Sequence, residues 1–312
     1  MDFHFKQTIC SLLISCITLS PAAYATDNLS YTNESNPTEF LNKSTVNTPQ
    51  DNIVITSESD LNQMLSQDEA LYQNQLDNIP SNLSADIETF LSQNSQYNIC
   101  ESDISALLES NSAETANTAD INLSSLTTEV DYDSMLSDFL EAYPQYSSMD
   151  QSELLSTLST VRANPVVSAV RKFFSSKGYR LSLALFNHSL INNPAKVYMN
   201  LIDNKTSMGL YIKHLLSQDG FVNKMAAFSR SGSNYYSKTD SSYAFNSGDL
   251  YWAIHGFTWK RTRTMYNKAY FKIYDVYDFK KWKDIPGIVA GICNTHDYNI
   301  EFYGLVLGGV IK

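Results

Sequence analysis

The sequence predicts an α+β fold, in which two or three helices pack on a small antiparallel sheet in a basic, aromatic-rich domain over residues 164–312. Aromatic density is the first reason: Phe, Tyr and Trp make up 26 of the 152 residues from 161 to 312, as in a packed domain. The order of patterns is the second reason, because this half runs helix, helix, strand, strand, helix, strand. Elements segregated in this way are typical of α+β domains of ordinary size.

Three helices are predicted in this domain. Pro165 suits the first turn of a helix, and Gly178 suits its C-cap. A second helix is expected over Arg180–Leu190, where the pattern is apolar and helical. A short third helix is expected over Ile285–Cys293.

Three strands are predicted in the same domain. Leu250–Lys260 and Tyr266–Tyr277 alternate with period two around a basic connection, which indicates a β-hairpin. Asn299–Gly304 is expected to be the closing strand. The polar stretch 229–248, before the hairpin, is expected to be a long loop.

Residues 1–25 have the features of a secretory signal peptide. Lys6 gives a weakly positive start, an apolar stretch runs from Thr8 to Ser20, and Ala23-Tyr24-Ala25 supplies the small residues of a cleavage site. Lipidation at Cys16 is the alternative, but the chain stays apolar after that residue. The sequence therefore predicts a protein that is secreted or periplasmic after cleavage of the signal peptide.

The N-terminal half is expected to have little stable structure of its own. Residues 26–56 are rich in Asn, Ser and Thr and are predicted to be disordered. Residues 57–163 show short amphipathic helical patterns, for example Ile87, Phe90 and Leu91. Such helices are marginal alone and need a partner surface, so this acidic segment is expected to be a loose helical array, a propeptide or a docking region.

Charge divides the chain sharply. Residues 26–160 carry 23 acidic residues and one basic residue, whereas residues 161–312 carry 9 acidic and 20 basic residues. This asymmetry predicts a domain boundary near residues 160–165. It also predicts mutual attraction between the halves, by which the acidic segment would mask the basic domain; a solvated acidic linker is the alternative interpretation.

Two cysteines, Cys100 and Cys293, remain after removal of the signal peptide. Two cysteines cannot build a disulfide-rich scaffold, so the core must be hydrophobic. Export permits one disulfide between the halves, and two unconnected thiols are the other interpretation.

The run Asp275-Val276-Tyr277-Asp278-Phe279 is the strongest indication of chemistry. Asp is rare in strands, yet both carboxylates lie at the exit of the best strand pattern. If the strand ends or bulges near Val276, Asp275 and Asp278 converge and suit Mg²⁺, which prefers oxygen ligands. They are then the candidate metal ligands and catalytic groups; a solvated end of the sheet is the alternative.

Other candidate site residues are cations and aromatic residues near this run. Tyr277 would orient a phosphate, and Lys281 or Lys283 would stabilise charge on the leaving group. The candidate substrate-binding residues on the hairpin are Lys260, Arg261, Arg263 and Trp252. Core packing is the other interpretation of Trp252. Basic charge with aromatic residues also suggests nucleic acid, but the basic residues form no repeated recognition pattern and the protein is predicted to be exported, which argues against that partner.

The segment from about residue 247 to residue 303 resembles the activity domain of colicin M-like bacteriocins. The Asp-x-Tyr-Asp-Phe run at Asp275–Phe279 and the closing pattern Asp297–Glu301 carry the resemblance. A broader group of exported bacterial proteins of unassigned function has the same Tyr-Asp-Phe ending. The resemblance implies Mg²⁺-dependent cleavage of a lipid-linked cell-wall precursor, lipid II, in the periplasm, with an immunity protein as a partner.

Two departures from these bacteriocins bear on the expectation. They carry a His-Arg pair after the second Asp, where this chain has Lys280–Ile285, so the group for general acid–base catalysis is not matched. They also lack a cleaved signal peptide. Two function classes are therefore expected: a secreted antibacterial effector that is a Mg²⁺-dependent phosphoester hydrolase, or a non-catalytic exported protein that binds an envelope or surface component through the aromatic hairpin.

Overall fold

A mixed β-sheet of six strands is the centre of the part of the chain that the structure, a computed structural model, describes. The described residues are 52–112, 130–202, 206–218, 221, 223, 239–245, 248–254, 256–265, 268–278 and 285–308. The strands are β1 (Asn52–Ile55), β2 (Lys196–Asn200), β3 (Thr239–Ala244), β4 (Gly256–Met265), β5 (Lys268–Tyr277) and β6 (Tyr298–Gly308).

The strand order is β1-β2-β6-β5-β4-β3, with β1, β2 and β6 parallel and the remaining neighbours antiparallel. The helices are α1 (Glu58–Asp77), α2 (Ser81–Gln93), α3 (Glu101–Ser112), α4 (Tyr132–Ala142), α5 (Gln151–Lys177), α6 (Arg180–Ser189), α7 (Ser207–Gln218), α8 (Gly248–Ile254) and α9 (Ile285–Cys293). The α+β class is confirmed. The prediction of a small antiparallel C-terminal sheet is wrong, because two parallel pairings extend the sheet to the N-terminal half of the chain.

The N-terminal half folds with the sheet rather than beside it. Strand β1 lies inside the segment that was expected to be disordered, and Ile55 is fully buried. Helix α1 packs on α6, and α3 packs on α5. Buried residues of these elements, such as Leu61 and Ile104, belong to one core with Val166 and Phe302. Residues 49–312 therefore form a single unit, and the separate basic domain from residue 164 is wrong.

Helix α5 crosses the predicted boundary near residues 160–165. It runs for 27 residues and contains Pro165 in its interior, so the prediction that Pro165 opens a helix is wrong. Its first part packs in a second core with α2 and α4, around Phe90 and Phe139, and its later part packs in the core under the sheet. The predicted end at Gly178 is confirmed, since this residue is the left-handed C-cap with a φ of 70°.

Most of the C-terminal elements match their predictions. Helices α6 and α9, the β4–β5 hairpin and the closing strand β6 are confirmed. The first part of the predicted strand Leu250–Lys260 is wrong, because Gly248–Ile254 is helical and the strand begins at Gly256. Strand β3 lies within the stretch 229–248, which was expected to be a loop.

A buried carboxylate fixes α8 against the start of α6. Asp249 accepts hydrogen bonds from the backbone N–H groups of Leu181 and Ser182, at 3.1 and 2.8 Å. It also accepts one from the hydroxyl group of Tyr211 on α7. Tyr179, the residue before α6, gives no side-chain cap, so Asp249 supplies the cap from a distant part of the chain. Among the described helices, none is long and apolar enough to cross a membrane.

Candidate functional site

The predicted tyrosine of the acidic run lies in the core. Tyr277 is 4% exposed and stacks on Tyr298, with ring centroids 5.2 Å apart. Burial raises the pKa of Tyr277, although a hydrogen bond with Ser189 works in the other direction. Tyr298 is equally buried and donates a hydrogen bond to the carbonyl oxygen of Leu185 on α6, at 2.8 Å. Tyr277 therefore joins the sheet to the helices.

The two carboxylates of the run differ in burial. Asp275 lies on the same side of β5 as Tyr277, the side that faces the helices, and it is half-buried. Asp278 follows the last residue of the strand and is exposed. Burial, and next the charge of Asp278, raise the pKa of Asp275 well above its ordinary value. The pair is thus electrostatically coupled, and a cation between the two carboxylates would relieve their repulsion.

Replacing Asp275 with Asn is expected to stabilise the protein at neutral pH. Because the folded-state pKa is raised, folding favours the protonated carboxyl group, and stability is lost as the pH rises above the ordinary pKa of Asp through the folded-state pKa. An amide has no charge to bury, so the variant keeps this stability at neutral pH. Urea unfolding of both proteins over a pH series measures the effect. A variant that is less stable than the wild type at neutral pH contradicts the prediction.

The other predicted site residues are spread over different surroundings. Trp252 lies on α8, is 4% exposed and packs edge-on against Phe173 and Phe174, so its place on the hairpin is wrong. Lys260 lies on β4 and is half-buried. Arg261 and Arg263 flank an irregularity in the pairing of β4 with β5. Lys281 and Lys283 lie outside the described residues.

Of the two interpretations of the cysteines, the structure has the two unconnected thiols. Cys100 is an exposed free thiol, whereas Cys293 is a free thiol in the core at the end of α9. Burial raises the pKa of Cys293 to about 12, which keeps this thiol protonated and unreactive. The two sulfur atoms therefore have different surroundings, one in solvent and one in apolar packing.

The sheet has one face packed against helices and a second face that is polar and aromatic. On the packed face, Ile273, Ile300 and Phe302 are at most 1% exposed. The alternate residues of the strands form the second face, and most of their side chains are half-buried rather than buried. We call this surface the outer face; its central residues are Lys196, Tyr198, Thr258, Lys260, Lys272, Tyr274, Glu301 and Tyr303.

Glu301 occupies the middle of the outer face. In the register of the sheet its direct neighbours are Tyr198 on β2 and Tyr274 on β5. One carboxylate oxygen lies 3.3 Å from the amino group of Lys196, and the other lies 3.3 Å from that of Lys272. These neighbours close over the carboxylate and leave Glu301 9% exposed. The outer face thus has an ordered acidic centre between two cations.

Aromatic rings extend from this centre. Tyr198 and Tyr303 meet edge to face, with centroids 6.4 Å apart and planes at 78°. The amino group of Lys196 lies 4.3 Å from the centroid of the Tyr198 ring. Burial lowers the pKa of Lys196, but the hydrogen bond with Tyr198 and the charge of Glu301 outweigh burial, so the pKa is raised. Lys196 is therefore held as a cation against an aromatic ring.

Two lysines stand directly opposite each other at the far side of the outer face. Lys260 on β4 pairs in register with Lys272 on β5. Like charges at directly opposed positions destabilise a sheet, and the carboxylate of Glu301, 3.3 Å from Lys272, offsets this repulsion. The outer face therefore carries three lysines and one carboxylate beside three tyrosines.

Sequence reasoning found only Lys260 and Lys272 among these residues, both as cations of the predicted hairpin that would attract an anionic substrate. The remaining members come mainly from β2, β5 and β6, which are far apart in the chain, and their meeting depends on strand order and register. Alternation of polar and apolar residues in Lys196–Asn200 and Tyr298–Tyr303 was the one available signal. Among the described residues, no three His, Cys, Asp or Glu side chains gather into a group that could hold a metal ion.

Comparison with protein-family models, curated proteins and solved structures finds no match for this chain. The resemblance of Asp275–Phe279 to the colicin M-like run stays a prediction. The protein thus has two candidate sites, the coupled carboxylates at the end of β5 and the outer face of the sheet.

Proposed function

We propose that the protein is an exported, non-catalytic protein that binds a component of the cell envelope, with the outer face as its binding surface. The observation that carries this proposal is the set of half-buried tyrosines and lysines around Glu301 on the sheet face opposite the helices. Rigid aromatic rings on strands lose little entropy on binding and supply large contact areas. A surface of this kind suits an extended ligand.

The described part of the chain encloses a small cavity. A cavity of about 10 Å³ lies between α5, α8, α9 and the end of β5, and its lining includes Phe174, Trp252 and Tyr277. This volume accommodates about one water molecule, whereas small-molecule sites have volumes of hundreds of Å³. This cavity is therefore too small to be a substrate site.

Replacing Tyr198 and Tyr303 together with Ala is expected to weaken binding to isolated cell envelopes by about tenfold or more. Most interface residues contribute less than about 1 kcal/mol when truncated, whereas a hot-spot tyrosine contributes about 2 kcal/mol or more, and about 1.4 kcal/mol corresponds to a factor of ten. Cosedimentation of the purified protein with envelope fragments measures the change. Tyr143→Ala is the matched control, because Tyr143 is a half-buried tyrosine that packs on Phe139 in the second core. Equal loss in both variants, or no binding by the wild type, contradicts the proposal.

A second candidate function rests on the coupled carboxylates. The raised pKa of Asp275 beside Asp278 is a perturbation of the kind that clusters at catalytic sites. Asp275 and Asp278 would hold Mg²⁺, which when bound would neutralise charge on a phosphate. The substrate would be a prenyl-pyrophosphate such as the lipid-linked cell-wall precursor. In this case the protein would be an antibacterial effector.

Asp278→Asn separates the two functions. If the carboxylates are catalytic, the wild type releases a phosphorylated headgroup from a prenyl-pyrophosphate in the presence of Mg²⁺, and the variant loses a factor of about 10²–10³ or more in rate. Asp278 is exposed, so the variant is expected to keep the wild-type fold, which circular dichroism checks. If the wild type is as inactive as Asp278→Asn, the two carboxylates have a structural role and the hydrolase proposal is wrong.

A further inference from the structure

Three polar side chains meet in the interior where α1, α5 and α6 pack together. Tyr72 lies on α1, Arg171 on α5 and Asn187 on α6. The Nε atom of Arg171 donates a hydrogen bond to Oδ1 of Asn187, at 2.6 Å, and the guanidinium carbon lies 4.9 Å from the centroid of the Tyr72 ring. Asn187 is fully buried and Tyr72 is 5% exposed. We call these three residues the arginine cluster.

Each residue of the arginine cluster has a buried polar atom that no described residue satisfies. These atoms are Nη2 of Arg171, Nδ2 of Asn187 and the hydroxyl oxygen of Tyr72. Nη2 shares an edge of the planar guanidinium group with Nε, and Nδ2 shares a carbon atom with Oδ1, so both nitrogens lie beside the hydrogen bond already made. Both nitrogens can only donate, and the hydroxyl group can donate as well. Because buried donors are rarely left without an acceptor, three of them at one place point to a ligand that accepts hydrogen bonds.

The arginine cluster also carries a positive charge that no neighbouring carboxylate balances. Among the described residues, no carboxylate lies within ion-pair distance of Arg171; Asp68 contacts His188 instead. Glu69 is exposed and attracts Arg171 only at longer range, and burial raises the pKa of the Cys293 thiol to about 12, so this neighbour is neutral. Burial lowers the pKa of Arg171, although the guanidinium group stays charged at neutral pH. A negative charge at this place is therefore favourable.

We propose that the arginine cluster binds a small monovalent anion such as chloride, which accepts hydrogen bonds from Arg171, Asn187 and Tyr72. One guanidinium charge matches one negative charge, and the burial of Asn187 and Tyr72 disfavours large or multiply charged ions. Water is the other acceptor of suitable size, but it does not balance the charge of Arg171. The bound ion would hold α1 against α5 and α6. This site is separate from the outer face, so the inference does not depend on the proposed function.

The dependence of stability on chloride tests the inference. Urea unfolding is measured in sodium chloride and in sodium gluconate at equal ionic strength, because gluconate screens charge but is too large for the site. Above its dissociation constant, a ligand of the folded state lowers the unfolding equilibrium constant about tenfold for each tenfold rise in its concentration. The line width of the chloride NMR signal measures binding to the folded protein directly. Equal stability in the two salts overturns the inference and assigns the donors to water.

Arg171→Met is the first variant, and Lys172→Met is its matched control. Both variants remove one positive charge from neighbouring positions of α5, but Lys172 is exposed and pairs with Glu101. We expect Arg171→Met to lose the chloride dependence and Lys172→Met to keep it. If both variants lose it, chloride acts through general surface charge, and if both keep it, the ion binds elsewhere; either result overturns the inference.

Two conservative variants extend the test to the other residues of the cluster. Tyr72→Phe removes one donor and should weaken chloride binding several-fold. Tyr298→Phe is its control, because the buried hydroxyl group of Tyr298 donates to the carbonyl oxygen of Leu185 and its loss should act equally in both salts. Asn187→Asp places a carboxylate beside Arg171, so this variant should be at least as stable as the wild type in gluconate and should not respond to chloride. A chloride response that persists in Asn187→Asp contradicts the site.

Discussion

A chain that begins at residue 161 should fail to fold, although it contains strands β2 to β6. It lacks β1, α1 and α3, which supply buried residues of the core under the sheet, among them Ile55, Leu61 and Ile104. This chain also lacks the first ten residues of α5. Each buried aliphatic side chain contributes about 1.5–3 kcal/mol, and a domain has only about 5–15 kcal/mol of net stability. The loss of a handful of such side chains therefore exceeds the stability of the domain.

A chain that begins at Pro49 is the matched control and should fold, since it contains every described element of the unit. Circular dichroism and the cooperativity of urea unfolding distinguish the two chains. Limited proteolysis of the whole protein gives a second measurement, in which the resistant fragment should begin near residue 50 rather than near residue 160. A stable, cooperative fragment 161–312 would contradict the shared core.

Loss of the His188 side chain is expected to destabilise the protein by about 3–5 kcal/mol. Its Nδ1 atom lies 3.1 Å from the carboxylate of Asp68 on α1, and its Nε2 atom lies 2.9 Å from the carbonyl oxygen of Ala195. Asp68 and His188 are each at most 3% exposed. A carbonyl oxygen can only accept, so Nε2 carries a hydrogen atom and the second ring nitrogen shares a proton with Asp68. His188→Ala would leave this carboxylate buried without its partner.

Asp68→Asn provides the control for this pair. The amide of Asn can donate to Nδ1 while Nε2 still donates to Ala195, so the hydrogen bonds are kept without a charge. We expect Asp68→Asn to cost much less than His188→Ala, and Asp68→Ala to fall between them. Urea midpoints of the three variants measure the order. If Asp68→Asn is as unstable as His188→Ala, the contact with Asp68 does not hold α1 to α6.

Local patterns in the sequence identified elements whose periodicity and boundaries agree with their burial. The start of strand β6 is such a case, because the buried residues Tyr298, Ile300 and Phe302 alternate with Asn299 and Glu301. Helix α9 has no such alternation, since it is buried from Pro286 to Cys293. Helix α8 was mistaken for a strand, since its seven residues are mostly apolar and periodicity cannot decide so short a run. Strand β1 was missed because four residues in a polar stretch gain their stability only by pairing with β2.

The predicted domain boundary failed for a different physical reason. Net charge is a property of the surface, whereas a domain is defined by its core. Acidic α1 carries Leu61 and Met64 on its buried side, and these residues pack in the same core as Val197 of basic β2. The sequence left Trp252 open between binding and core packing, because an aromatic side chain suits both roles, and tertiary packing buries Trp252 and Tyr277.

The charges that divide the sequence meet again at the contacts between helices. Helices α1 and α3 carry eight carboxylates and no lysine or arginine. Three of these carboxylates pair with cations of α5 and α6: Glu58 with Arg180 at 2.7 Å, Glu101 with Lys172 at 2.5 Å and Glu109 with Lys177 at 2.8 Å. The attraction between acidic and basic segments therefore acts within one folded unit, between neighbouring helices. Because these pairs are solvent-accessible, added salt would weaken them without opening the apolar core.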